Sequence, residues 1–343
     1  MTIRARAPYI VLAALYLLSG LAGFLSPYRY QEQDRNHFYA PPTKLHFQDT
    51  AGRWHLRPFV YRMVLSDPLE VRYQEDPSVA YPVKFFVAGS SYRLLGLFPM
   101  RHHLFGVDAP GRIFLLGSDQ LGRDVFSRSA YASQVSLALA LAAVLLSFGI
   151  GLPVGCVAGY YGGKTDTLLM WLADLVLAIP GLYFILAVRG ALPLDTPTLP
   201  ALALLILILG LLGWAPVARV VRASTLSLKE REFVLASRAS GGSSAGILIR
   251  HIAPHLASFT FTQAALTAPF YVLAEVTLSY LGLGVSEPLP SWGNMLTEAH
   301  NPVVLQRFWW MLSPGLFLFL TVVAWNWVGN ALRDFFDPHS EPL

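Results

Sequence analysis

Apolar residues gather in six long runs separated by polar stretches of very unequal length. Tyr9–Ser26, Ser136–Tyr160, Leu199–Ala218 and Trp309–Leu332 carry no charged residue, whereas Leu168–Val188 contains Asp174 and Pro180, and Leu256–Gly284 contains Glu275. A bilayer core about 30 Å thick is crossed by about 20 apolar residues of helix. The pattern therefore predicts six transmembrane helices, an all-α polytopic architecture. The first run could instead be a signal peptide, since Arg4 and Arg6 precede it. Its length exceeds the roughly 7–15 residues of such cores, which favours an uncleaved anchor.

Composition agrees with the pattern: 54% of the 343 residues are hydrophobic and 13% charged. Soluble domains average about 25% charged residues, so a soluble enzyme, a nucleic-acid binder and a disordered tail are poor readings. Net charge is +4, and in a membrane protein a mild basic excess records loop orientation. Arg4, Arg6, Lys164, Arg219, Arg222, Lys229, Arg231, Arg238, Arg250 and Arg333 fall at one set of short loops, and only Arg189 and Arg307 at the other. Ten against two puts both termini and the 222–255 loop in the cytoplasm. The single cysteine, Cys156, excludes an intrachain disulfide and any cysteine-based metal site.

Residues 28–133 hold 13 basic and 10 acidic residues and form a polar block between the first two spans. Aromatics and prolines alternate there with charges, as in Trp54–Tyr61 and Tyr81–Val87, which predicts short strands in a folded external insert. His37, His46, His55, His102 and His103 lack the paired spacing of a zinc site, so no metal is expected.

The 222–255 stretch is long for a connection between spans. Leu228–Ala239 favours helix, with Phe233, Ala236 and Ser240 near one face, and Gly241–Ser244 stops it and opens a second helix. A helix–turn–helix with small residues on one surface suits a partner's groove, although a loop touching only headgroups would show the same composition.

These residues resemble the Glu-Ala-Ala loop of bacterial ABC-importer permeases, with Leu235, Ala236 and Ser237 at the position of the Glu-Ala-Ala triplet, Gly241 at its glycine, and His251, Ile252, Ala253 and Pro254 at its end. Leu235, Ser237 and Ala253 depart from the pattern. Leu235 removes a carboxylate that contacts the ATPase in many relatives, and Glu232 lies one helical turn earlier. Leu116–Arg128, Tyr280–Gly284, Pro290–Leu296 and Leu332–Pro338 resemble the C-type permease subunit of dipeptide, oligopeptide and nickel importers. That resemblance covers Leu116–Pro338 and leaves the insert outside.

It implies a type I importer permease fold: a tail and anchor over 1–27, the insert over 28–133, a permease domain over 134–334 and a cytoplasmic tail over 335–343. It further implies a second homologous permease, two cytoplasmic ATPase subunits that hold ATP and magnesium, and an external solute-binding protein. The chain itself would bind no cofactor and catalyse no bond change. Peptide is the first reading of the cargo, with nickel or another small solute as the alternative.

Gly159–Thr165 approaches a phosphate-binding loop, but Ala158 stands where its first glycine belongs and a membrane helix precedes it. Gly151, Gly155 and Gly159 recur at a spacing that brings helix backbones together, through static packing or as a mobile contact. Asp174 and Glu275 are intramembrane acids, which face a bundle interior or a cavity; Arg219 and Arg222 are candidate partners for Asp174. An ion-coupled transporter would need paired intramembrane charges or an inverted repeat, and neither is evident.

Overall fold

The computed structural model describes residues 3–191, 193 and 197–336, the side chains of 3–6 excepted. Asp337 and Pro338 of the closing stretch, and the rest of the tail, lie outside the described residues. The chain opens with α1 (Ile3–Gly20) and α2 (Ala22–Leu25) and passes into the insert. There β1 (His46–Gln48), β2 (Trp54–Asp67) and β3 (Arg72–Pro82) form one antiparallel sheet, and β4 (Lys84–Leu94) pairs with β5 (Phe98–Gly106) in a separate hairpin. The helices follow: α3 (Val125–Tyr161), α4 (Gly163–Ala178), α5 (Gly181–Ala191), α6 (Thr198–Leu228), α7 (Glu232–Ala239), α8 (Ser244–Ile247) and α9 (Ala253–Tyr280). Short helices α10 (Trp292–Leu296) and α11 (Pro302–Arg307) precede α12 (Ser313–Phe336).

Four helical stretches are long and apolar enough to cross a membrane: Val125–Tyr161, Thr198–Leu228, Ser244–Tyr280 and Trp309–Phe336. A bent pair, α4 and α5, makes a fifth if it is one span, with 73° between its halves. The break lies where expected chemically. Ile179 is extended, with φ −75° and ψ 119°, because a residue before proline is pushed out of the helical region. The apolar part of α1, Ala7–Gly20, is shorter than the others. Among the described residues, four spans, or five if the bent pair is one, thus stand by length and composition where the sequence predicts six. The helices also outrun their apolar runs: α3 begins at Val125, well before Ser136, and its 37 residues extend about 55 Å.

Contacts within the chain define two compact units. One comprises residues 1–12, 138–275 and 321–343; the other comprises 13–137 and 276–320. In the first, α3 lies against α6 with almost no side chain between them. A Cβ on Gly151 would come 2.7 Å from the Trp214 carbonyl oxygen, one on Gly155 2.5 Å from that of Ala218, and one on Gly159 2.8 Å from that of Arg222. Small residues permit such approach where lipid supplies no hydrophobic drive between helices. A buried polar node ties in a third helix. The Ser147 and Tyr271 hydroxyls are 2.5 Å apart, and Ser147 donates to the Gly210 carbonyl at 3.2 Å.

In the second unit the insert is made of longer strands than predicted, 14, 11, 11 and 9 residues for β2 to β5. Phe59 pairs with Pro82 and Tyr61 with Ala80; an irregularity then shifts the register so that Arg62 faces Asp76 and binds it at 2.5 Å. Val60, Val83 and Ile113 form a core covered by Tyr28, Tyr81 and Phe105. The histidines are bound one by one: His37 to Asp34, His46 to Glu75 and His55 to Asp49. His103 is buried against the Gly23 and Ser90 carbonyls, 3.0 Å from each.

Replacing Gly155 with leucine is expected to force α3 from α6 and cost about 2 kcal/mol. Gly149→Leu, on the same helix with open space at its Cβ, is expected to be nearly neutral. Thermal unfolding of both variants in detergent would show the contrast, and equal losses would contradict it.

Candidate functional site

The connection after α6 is shorter and more rigid than the sequence suggests. Helix α6 continues to Leu228, so the first part of the 222–255 stretch is the end of a span and not loop. The second expected helix is likewise no free element: α8 runs through a π-helical turn, Leu248–Ile252, directly into α9. Between them α7 stands as a separate two-turn arm.

Its stop is built by the two glycines. The Gly242 amide donates to the Ser237 carbonyl at 3.0 Å and the Gly241 amide to that of Arg238 at 3.1 Å. This is the Schellman arrangement, which needs a left-handed residue after the helix, and Gly241 has φ +82°. Ser243 then caps α8, its side chain accepting from the Gly246 amide at 3.2 Å. The chain reverses within a few residues because each step has its preferred residue type.

The arm is fixed from one side and bare on the other. Val234 is buried, and the Phe233 ring stacks on His255 at 4.6 Å between centroids. The Arg238 guanidinium lies 5.5 Å from the Tyr160 ring centre at the end of α3. Glu232, Leu235, Ala236 and Gly241 are exposed, as is Pro254, while Ser237 is half-buried. Ile252 is fully buried, so it packs the arm's base and offers no contact surface. Glu232 sits in the first turn of α7, where a negative charge complements the helix dipole.

Of the intramembrane acids, Asp174 is paired with Arg219, and its neighbour Arg222 takes Asp166 in a two-pronged contact, with Nη2 to Oδ2 at 2.5 Å. Both pairs join α4 to α6, and both Asp174 and Arg219 are half-exposed. Glu275 is completely buried. Gly151, Gly155 and Gly159 all face α6.

A second site was hidden inside two motifs that the sequence shows far apart. Asp119 accepts from the backbone amides of Leu121 and Arg123, both at 2.9 Å, and from Arg123 Nε at 2.6 Å. Arg123 Nη1 and Arg128 Nη2 reach the two Glu287 oxygens at 2.9 and 2.7 Å, and Glu298 lies 3.7 Å from Arg123. The arginine side chains are only 6% and 2% exposed. Trp292, fully buried, donates through its indole to the Ser129 carbonyl at 3.2 Å, and Trp310 donates to that of Ser118 at 3.0 Å. The start of α3, the loop after α9 and the approach to α12 are thereby latched together. The signal was present as Asp119, Arg123 and Arg128 in one stretch and Trp292 in another, but nothing in the spacing says which charge meets which.

Burial and charge pull against each other in this latch. Burial works to raise the Glu287 carboxyl, yet Arg128 and Arg123 hold it below its ordinary value. Asp124, which caps α3 by accepting from the Ser127 amide at 2.8 Å, is raised to about 7 by burial. Glu298 is also raised to about 7, chiefly by burial and then by the Asp119 charge.

Helices of membrane-spanning length around a close-packed glycine contact, with a short helical arm beyond them, make this a polytopic helical membrane protein. The family described as the binding-protein-dependent transport system inner membrane component matches residues 151–341. The oligopeptide transport system permease protein OppC of Bacillus subtilis is 35% identical over 229 residues, 67% of this chain and 73% of its own. The dipeptide transport system permease protein DppC of the same organism is 36% identical over 223 residues, 65% and 68%. The nickel transport system permease protein NikC of Escherichia coli is 38% identical over 245 residues, 68% and 84%. The chain belongs to this family of ABC-importer permeases, a membrane transport component and not an enzyme.

Glu287→Gln leaves two buried guanidiniums short of charge; since Glu287 is itself half-exposed, the expected cost is about 1 kcal/mol, read by thermal unfolding. Glu298→Gln tests the raised acid. A carboxyl whose folded value is raised adds stability while protonated, below its ordinary value of 4.5, and loses it as pH rises through about 7. The melting temperature of the glutamine variant is therefore expected to gain on the unsubstituted protein as pH rises from about 5 to about 8. A difference independent of pH would refute the assignment.

Proposed function

We propose that this chain is one of two homologous permease subunits of a bacterial ABC importer, forming half of a pore for dipeptides or oligopeptides. An external solute-binding protein delivers the cargo, and two cytoplasmic ATPase subunits, which hold ATP and magnesium, drive its passage. The observation that carries this reading is α7: a helix with Leu235 and Ala236 bare, anchored through Phe233 and Arg238 to α9 and α3. A push or pull on such an arm passes into the spans without being lost in loop flexibility. Closure of the ATPase pair would move α7 and α9 together and switch the bundle between inward-open and outward-open.

Membership of the importer family supports the ATPase and binding-protein partners. The ten-to-two distribution of short-loop basic residues supports a cytoplasmic α7 and cytoplasmic termini. It requires six crossings, with α1 as an anchor of marginal length and α4 with α5 as one bent span. Interrupted helices are common in alternating-access pores. Peptide cargo follows the names of the oligopeptide and dipeptide relatives; nickel follows that of the third and remains the second reading.

Ala236→Arg places a bulky charge on the bare face of α7 without touching its anchored side. The expected result is loss of co-purifying ATPase activity with an unchanged melting temperature. Gly241→Val, which strains the left-handed turn, is expected to lose ATPase association as well, with some loss of stability. If no ATPase associates with the unsubstituted chain co-expressed with its neighbours, the reading fails. Uptake of a labelled tripeptide against nickel in reconstituted vesicles separates the two cargoes.

A further inference from the structure

We infer that the β4–β5 hairpin is a membrane-seated element whose tip rests in the outer edge of the lipid bilayer beside α1. Between Arg93 and Arg101 the chain reads Leu94, Leu95, Gly96, Leu97, Phe98, Pro99 and Met100, an uncharged run of seven residues at the tip of the hairpin. Leu95, Leu97 and Phe98 are 61%, 73% and 60% exposed, which for side chains of this size marks an interaction surface.

The turn itself is informative. Leu95 and Gly96 both have positive φ, +52° and +74°, and the Leu97 amide donates to the Leu94 carbonyl at 3.0 Å. Turns of this kind ordinarily carry Asn, Asp or Gly at both central positions. A leucine there has a left-handed backbone and a side chain that is 61% exposed, with room for a contact beyond the chain itself.

The occupant follows from what the tip adjoins. A Cβ on Gly20 would lie 3.1 Å from Leu95 Cδ2, so the tip touches the end of α1. At that level the Ser19 carbonyl accepts from Gln134 at 2.8 Å, the last polar side chain before the apolar run of α3 opens at Ser136. The tip thus reaches the depth at which the spans enter lipid, and its bare leucines continue the apolar surface of α1, where Leu17 is 62% exposed. The hairpin is held at this depth: Tyr92 packs on Gly23, where a Cβ would come within 2.3 Å, and His103 is bound to the Gly23 carbonyl. Arg93 and Arg101 are exposed and have no ion-pair partner among the described residues. Arginines at such a margin keep their stems in apolar surroundings and reach phosphate headgroups. The seating depends on the membrane setting alone and not on what is transported.

Spin labels at Leu97→Cys and Phe98→Cys test it, in the full-length chain co-expressed with its assembly partners and reconstituted in phosphatidylethanolamine–phosphatidylglycerol vesicles. Buried Cys156 serves as the unlabelled background, and Leu56→Cys, on the other sheet and equally bare, as the comparison. The expected result is a several-fold higher ratio of oxygen to chromium oxalate accessibility at 97 and 98 than at 56. A ratio equal to that at 56 means a tip in water and overturns the proposal. Shielding from both reagents means a protein partner, and also overturns it. Should the labels disturb assembly, a photoactivatable phospholipid applied to the unsubstituted complex should leave adducts on 94–100 as well as on α1; adducts on α1 alone would refute the seating.

Discussion

The closeness of α3 to α6 sets the position of every functional part of the first unit. With Gly151, Gly155 and Gly159 against the backbone of α6, two rods become one. The consequences follow outward from that line. Asp166 and Asp174 on α4 reach Arg222 and Arg219 on the same stretch of α6. Tyr271 on α9 meets Ser147 and the Gly210 carbonyl, and Arg238 on α7 reaches Tyr160 at the end of α3. Between helices in lipid the apolar effect does not discriminate, so close van der Waals contact and a few buried polar bonds do this work. Widening the α3–α6 gap by one methyl layer would break the Ser147 bond to the Gly210 carbonyl, which crosses it.

The second unit solves a different problem, joining chain segments whose motifs are separated by more than one hundred residues. Asp119, Arg123 and Arg128 are buried and compensate one another together with half-exposed Glu287, with Glu298 as a more costly neighbour. Buried charges are tolerated only when their partners are in place, so the latch has one arrangement and not several. Two tryptophan indoles, bonded to backbone carbonyls, fix the remaining edges. The insert joins this region through Ser118, which donates to the His37 carbonyl and accepts from the Ala40 amide, and is separately clamped by Tyr92 and His103 on the chain just after α1.

The arm shows most plainly how far local chemistry reaches. Gly241–Ser244 announced a stop and a restart, and the bonds at Ser237, Arg238 and Ser243 are those that such residues make. Arg219, Arg222 and Lys229 read as loop residues in the sequence, so the arm is shorter than composition suggests. Tertiary partners, Asp174 and Asp166, let two of these arginines lie along a helix that continues to Leu228. Ile252, in the stretch that resembles the coupling loop, is core; apolar character alone does not say whether a side chain faces a partner or its own fold.

The sequence by itself determined that this is a helical membrane chain with a polar insert, roughly where its helices run, where its arm turns, and to which family it belongs. Those properties depend on hydropathy, on glycine and proline backbone preferences, and on short motifs, all of which are local. Only the tertiary structure decided which glycine meets which carbonyl, which acid takes which arginine, and which face of α7 is bare. It also decided that an apolar turn in a polar insert lies beside α1. Such pairings depend on where distant segments meet in space, which neither composition nor spacing encodes.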